Sequence, residues 1–286
     1  MSELAVIIPH LNDQPRLRRC LYALEPQIGD DVQVIVVDNG SDQSIMDLPD
    51  EFPWARFAVE QTPGAGLARN LGVALTTAPR LAFIDCDCVP GPDWIDHARA
   101  VDIEDRIVGG RVDTFHEGHG ARSGAQVFEQ VFAFDMARYV ARQGFCGSGN
   151  MVVDRDVFEM VGPFRVNVAE DMEWCHRAGR TGFEIVYDAE LVASHPTRQD
   201  WAALKRKWRR LAAERFTLDA TSALGRAKWV MRAVLTAASV VRDVPRVLLT
   251  ERLTGWADRM NCLVTLIRLR FLRAFWMGRQ ALTGQA

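Results

Sequence analysis

Leu81-Ala82-Phe83-Ile84-Asp85-Cys86-Asp87 is the stretch from which the rest of the chain is best read. Four apolar residues in a row are the mark of a short buried strand. Two carboxylates, two residues apart, follow at its end. On a short rigid loop they offer hard oxygen ligands of the kind Mg2+ or Mn2+ takes, above all when diphosphate oxygens complete the shell. A bare D-x-D is also what a solvated acidic turn looks like, so the setting decides. Outward from it, strand and helix signals alternate. Leu4–Pro9 is an apolar strand-like run, and Arg16–Leu24 places Leu17, Cys20, Leu21 and Leu24 at helical spacing. Val32–Val37 is β-branched and ends in the turn cluster Asp38-Asn39-Gly40-Ser41; Phe57–Val59 is a short strand and Gly66–Leu75 a helix. This rhythm predicts an α/β fold with a largely parallel sheet. Ligands of such sheets bind beyond the carboxyl ends of the strands. Pro9-His10, Asp38-Asn39 and Asp85-Cys86-Asp87 are therefore expected to converge on one cleft.

Past residue 100, Ile107–Val112, Phe183–Tyr187 and Leu191–Ser194 read as strands, and Gln126–Arg138 and Glu170–Arg180 as helices. After Pro196 the chain turns helical and basic, with breaks expected near Gly225, Pro245 and Gly255. The expected division is a domain over 1–197 and a basic amphipathic helical extension over 198–286.

The chain has 286 residues, nearly half of them apolar and a quarter charged, as in a globular protein. None of its six cysteines forms a C-x-x-C pair, so a reduced, packed role is expected. An acidic residue precedes Leu4–Ile8 and Pro9 closes that run, which reads as a strand and not a secretory signal. A cytoplasmic location is expected. The net charge of −3 hides an asymmetry: residues 198–286 carry 18 Lys+Arg against 6 Asp+Glu, leaving 16 against 31 in the remainder. Such a split suggests an acidic body and a basic tail that meets an anionic surface.

Seven segments together resemble the family 2 glycosyltransferases of GT-A fold. They are Val6-Ile7-Ile8-Pro9-His10-Leu11-Asn12, Val34-Ile35-Val36-Val37-Asp38-Asn39-Gly40-Ser41, Gly66-Leu67-Ala68-Arg69-Asn70-Leu71-Gly72, Phe83-Ile84-Asp85-Cys86-Asp87, Gly147-Ser148-Gly149-Asn150, Glu170-Asp171 and His195. The resemblance runs in order over roughly residues 4–215. It implies a Rossmann-like mixed sheet with a C-terminal helical extension. It also implies roles. Pro9 and Asn12 would line the nucleotide pocket, Asp38 would bond the base or ribose, and Arg69 would reach the base or diphosphate. Asp85 would face ribose and metal, Asp87 would ligate the metal, and His195 would complete its shell or touch the diphosphate. Asp171 would be the general base, with Glu170, Gly149 and Asn150 on the acceptor side. The donor would be a nucleoside-diphosphate sugar, UDP favoured with GDP and dTDP open, and the cofactor Mn2+ or Mg2+. The acceptor would be a hydroxyl of a glycan or a lipid-linked carrier.

The chemistry agrees with those roles. A cation neutralises a diphosphate leaving group, and a carboxylate on the opposite face takes the acceptor proton. A single displacement would invert the anomeric centre through an oxocarbenium-like state.

Two departures from the family pattern stand out. Asn39 sits where a second aspartate is common. The Gln/Arg-x-x-Arg-Trp signature of processive synthases is only echoed in Lys205-Arg206-Lys207-Trp208-Arg209-Arg210, which favours transfer of a single sugar. Gly64-Ala65-Gly66 is no dinucleotide fingerprint, since Arg69 stands where the third glycine belongs. His116 and His119 lie in a loop-like setting and are set aside as ligands. A sugar nucleotidyltransferase would need a Gly-rich basic loop where Pro9-His10-Leu11-Asn12 stands. The non-enzyme alternative is an inactive adaptor that binds a membrane or a partner through its tail; the retained acidic pairs argue against it. The tail mixes Arg with Trp208, Trp229, Trp256 and Trp276, and charges break its apolar stretches. No spanning helix is expected. Peripheral contact with an anionic membrane at its inner face is expected, and nucleic acid is not.

Overall fold

The computed structural model describes residues 3–285 except 44, 46, 119, 167 and 221. In chain order it begins β1 (Leu4–His10), α1 (Gln14–Leu24), β2 (Val32–Asp38), α2 (Leu48–Glu51), β3 (Ala55–Val59), α3 (Ala65–Ala74), β4 (Arg80–Ile84), β5 (Val89–Pro90) and α4 (Trp94–Ala100). It continues β6 (Arg106–Phe115), α5 (Gly124–Phe132), α6 (Met136–Gln143), β7 (Asn150–Asp154), α7 (Arg155–Val161), α8 (Glu170–Arg180) and β8 (Glu184–Pro196). Three long helices close it: α9 (Trp201–Asp219), α10 (Ala223–Leu249) and α11 (Trp256–Thr283).

The strands form one sheet in the order β3-β2-β1-β4-β7-β6-β8-β5. All seven residues of β1 are buried, as expected of a central strand covered on both faces. β1 pairs in parallel with β2, from Leu4↔Val32 to His10↔Asp38, and with β4, where Ile7 meets Phe83. β2 and β3 are also parallel. Beyond β4 the direction changes: β7 is antiparallel to β4, and β6 to β7. The sheet is therefore mixed, as the family resemblance implied, and not largely parallel, as the strand and helix rhythm alone predicted. An apolar run carries no sign of its direction, which is why the rhythm of strands and helices alone does not reveal the reversal.

Two other expectations change. The helix expected over Gln126–Arg138 is two helices, α5 and α6, interrupted at Phe134, whose φ is +53°. Pro245 does not break the chain but lies inside α10. The hydrogen bond that proline forfeits is the one to the carbonyl of Val241, on the exposed side of the helix.

The chain divides into two compact units. The first holds Met1–Asp113, Phe134–Val166 and Glu170–His195; the second holds Thr114–Ala133, Asn167–Ala169 and Pro196–Ala286. In the first, apolar clusters cover both faces of the sheet. One joins Leu17, Leu21, Leu24 and Trp94 to Val6, Ile8 and Val36; the other joins Phe158, Phe164 and Trp174 to Ile7, Phe83 and Val153. In the second, α5 packs with α9 and α11 through Val127, Phe128, Val131, Leu204, Leu266 and Leu269.

Candidate functional site

Strand register gathers the polar strand ends. His10 lies opposite Asp38, and Asp85-Cys86-Asp87 follows directly on β4, one strand away on the other side of β1. Antiparallel pairing sets Asn150, the first residue of β7, opposite Ile84, so the Gly147–Asn150 loop also arrives at this edge. β5 and β8 pair through Val89↔Ser194, which carries His195 toward Asp87. With strands about 4.8 Å apart, these groups share one edge of the first unit.

At the nucleotide end, the Asp38 carboxylate accepts from the His10 Nδ1 at 2.8 Å and from the Ser41 hydroxyl and N–H. The N–H of Asp13 donates to His10 Nε2, which fixes the ring proton on Nδ1, and His10 is only 1% exposed. Burial alone would raise the Asp38 carboxyl, but the Ser41 and His10 donors hold it below the usual aspartate range. Asn12, in the left-handed region at φ +53°, exchanges two hydrogen bonds with Asp42 and ties the loop after β1 to the loop after β2. Pro9 is buried in β1 beside Val37. Asn39 donates to the carbonyls of Glu60 and Thr62 and accepts from the N–H of Gly64. An aspartate could not donate, so Asn39 fastens the entry to α3 instead of facing a ligand.

Arg69 is the centre of the second cluster. It is 3% exposed, donates to Asp85 at 2.6 Å and to Glu170 at 2.5 Å, and its Nε–H is buried without a partner. Burial would lower its guanidinium, yet Asp85, Glu170 and Asp171 together raise it, so it is a permanent cation. Glu170 also accepts from the N–H of Gly66. It therefore joins α8 to α3, and both of its oxygens are engaged there. Asp171 accepts a short hydrogen bond from the buried Ser148 hydroxyl. Burial, helped by Glu170 and Asp85, pushes its carboxyl up to about 6, against the opposing pull of Arg69 and Ser148. Gly149 lies so close to Asp85 that a Cβ there would stand 2.5 Å from its Oδ2. Asn150, expected beside the acceptor, is buried. It accepts from Trp94 Nε1 and donates to the carbonyls of Arg111 and Leu191, and so braces the floor of the site.

Asp87 and His195 form the third group. His195 Nε2 lies 3.1 Å from Asp87 Oδ2, and Phe134 packs on the ring at 4.6 Å between centroids. A bulky residue at positive φ is rare, and here it places a ring against the candidate ligand. Among the described residues, no three His, Cys, Asp or Glu side chains gather as a ready-made metal site. An oxygen and an imidazole nitrogen at bonding distance still fit a cation that takes its remaining ligands from diphosphate and water. Asp85, engaged by Arg69, stands beside them as a charge. His116 is exposed, and His119 lies outside the described residues. The cysteines are free thiols, five buried and Cys86 half-buried; burial raises Cys86 and Cys88 well above the ordinary thiol range, so they are unreactive packing groups.

Sequence reasoning assigned no role to His10, Ser41, Ser148 or Phe134. His10 and Ser41 lie inside quoted motifs and were legible as polar groups after strands; Ser148 lies in the quoted Gly147–Asn150 segment, but nothing there points to its partner Asp171. Nothing in the sequence marks Phe134.

Comparison with known proteins bears directly on this arrangement. A family model described as glycosyl transferase family 2 matches residues 5–162, more than half of the chain. The chain is 28% identical to glycosyltransferase AglE of Haloferax volcanii over 220 residues, 72% of this chain and 70% of AglE. Matches to further curated glycosyltransferases span less than half of those proteins. Its fold is similar to that of the mannosyltransferase PcManGT of Pyrobaculum calidifontis, solved with GDP-Man and Mn2+. That likeness has a TM-score of 0.57 at 15% identity and covers 99% of this chain and 74% of that one. S. aureus TarS 1–349, solved with UDP-GlcNAc, gives a TM-score of 0.53 at 13% identity, over 100% and 93% of the two chains. At such identities the likeness speaks for the fold alone, which is GT-A. Because the family match runs from the first strand through α7, over the segments that bring Asp38, Arg69, Asp85 and Ser148 to one edge, this chain belongs to glycosyl transferase family 2 and is a glycosyltransferase.

Proposed function

We propose that the enzyme moves one sugar from a nucleoside-diphosphate sugar to an acceptor hydroxyl in a single displacement that inverts the anomeric carbon. The observation that carries this reading is Asp171. Its carboxyl is pushed up to about 6 and oriented by the Ser148 hydroxyl. A base near the working pH is deprotonated yet basic enough to receive a hydroxyl proton. Asp171 would take that proton from the acceptor as its oxygen attacks. Asp38, kept ionised by Ser41 and His10, would accept hydrogen bonds from the base or ribose, with Pro9 and the Asn12 loop shaping the pocket. Arg69, a buried cation bridging Asp85 and Glu170, would offset part of the negative charge gathered there and keep Asp85 in place.

Asp87 and His195 are the residues that would hold Mn2+ or Mg2+. When bound, the ion would neutralise charge on the departing diphosphate. PcManGT with GDP-Man and Mn2+ and TarS with UDP-GlcNAc show two different nucleotides on this fold; for this chain UDP is the first choice and GDP the next. The acceptor hydroxyl is read as part of a glycan or a lipid-linked carrier. The helical unit is read as a peripheral anchor at the inner face of a membrane; no described helix is long and apolar enough to cross one.

A thermal-shift screen against UDP-, GDP- and dTDP-sugars, with and without manganese, tests the reading. One nucleotide class should raise the melting temperature only with metal present. No shift with any donor under either condition would refute the proposed metal-dependent use of these donors.

A further inference from the structure

The outer face of α11 is the most conspicuous surface for which the transfer reaction has no use. Trp256, Met260, Val264, Ile267, Phe271 and Phe275 recur at intervals of three and four residues, and each is at least 42% exposed. At 100° per residue they lie opposite the side chains that α11 buries, among them Cys262, Leu266, Leu269 and Met277. The stripe is about 28 Å long at 1.5 Å per residue. A helix apolar on both sides is ordinarily covered on both. The neighbouring α10 shows the same excess, with Val241 81% and Leu249 80% exposed.

Charge indicates what covers the stripe. α10 and α11 carry ten Lys and Arg residues and only two acidic ones, Asp243 and Asp258. Both acids are already paired within the helical unit, Asp243 with Arg242 and Arg270, Asp258 with Arg122. Arg226, Lys228, Arg268 and Arg279 are exposed. A second copy docked face to face would bring the same cations against these, which disfavours it. A helix with apolar and aromatic residues on one side and arginines beside them is suited to the boundary between lipid headgroups and acyl chains.

We propose that the outer face of α11 inserts its apolar stripe into the interface of an anionic bilayer, with the flanking arginines on lipid phosphates. This rests on and sharpens the reading of a peripheral anchor. Lipid binding is measured without donor or acceptor, so it fails separately from the proposed transfer.

The test is flotation of the full chain with phosphatidylcholine vesicles, with and without phosphatidylglycerol. The wild type should float with the anionic vesicles and keep part of its binding at high salt, because apolar insertion is not screened. Ile267→Gln/Phe271→Gln leaves the charge unchanged and alters two exposed positions. It should weaken binding about tenfold or more, with the melting temperature and donor-induced thermal shift unaltered. Equal binding of wild type and variant would overturn the proposal, as would complete loss of wild-type binding in high salt. Failure to bind lipid, together with concentration-dependent self-association that the same variant abolishes, would also overturn it and assign the face to a second copy.

Discussion

Because the Asp171 carboxyl is pushed up to about 6, transfer should switch on as pH rises through that value and then level off. The same shift has a consequence for stability. The folded chain holds this proton more tightly than the unfolded chain does, where the ordinary aspartate value of 3.8 applies. The stabilisation is therefore full below the ordinary value and fades as pH rises toward 6. Asp171→Asn removes that liability. It should raise the melting temperature at neutral pH, with the gain disappearing in acid, while donor binding stays intact and transfer falls by roughly 10²–10⁴-fold. Ser148→Ala removes a donor that pulls the carboxyl down, so the acid limb of the rate profile should move to higher pH with donor affinity unchanged. Ser148→Thr, which keeps the hydroxyl, should restore the profile. Unchanged profiles in Ser148→Ala would show that the serine merely packs. Asp171 was legible from Glu170-Asp171 in its family setting. Ser148 was not, since its role depends on a loop meeting a helix 23 residues further on. Glu170 and Asn150 were visible as polar residues, but only the structure shows them bound to Gly66 and Arg69, and to Trp94 and two carbonyls.

At the level of elements, the reversal of β7 against β4 delivers the Gly147–Asn150 loop to Asp85. Gly149→Ala should displace Asp85 from Arg69, because the new Cβ would stand 2.5 Å from Oδ2 and 2.9 Å from Cγ. Arg69 is buried but the Asp85 side chain is 37% exposed, so solvent screens part of what the pair contributes; melting temperature and donor affinity should both drop. Gly72 plays a different part. A Cβ there would meet Ile7 Cγ2 at 2.4 Å, where α3 lies on β1. Gly72→Ala should destabilise the fold by about 1–3 kcal/mol in urea unfolding. The parallel half of the sheet was readable because buried parallel strands are continuous apolar runs. The antiparallel half was legible only through the family resemblance, and the break at Phe134 not at all, because neither strand direction nor a left-handed residue leaves a pattern in side-chain polarity.

For the whole molecule, the helical unit is not simply the tail. It takes α5 from the middle of the chain, and Glu129 on α5 is buried against Lys207 and the N–H of Arg198. A truncation after residue 197 would strip Val127, Phe128 and Val131 of their cover and take from Glu129 both its partners, Lys207 and the N–H of Arg198. It should aggregate, as soluble yield and light scattering would report. The charge split along the sequence identified the basic helices but not the return of α5, which depends on contacts more than 70 residues apart. The proposed transfer depends on Asp87 and His195, which would hold a cation that the donor diphosphate shares. Calorimetric titration of UDP and then GDP into wild type and Asp87→Ala, with and without Mn2+, tests this most directly. The account expects tight nucleotide binding only with metal in the wild type and none in Asp87→Ala at an unchanged melting temperature. Equal, metal-independent binding by both proteins would contradict it.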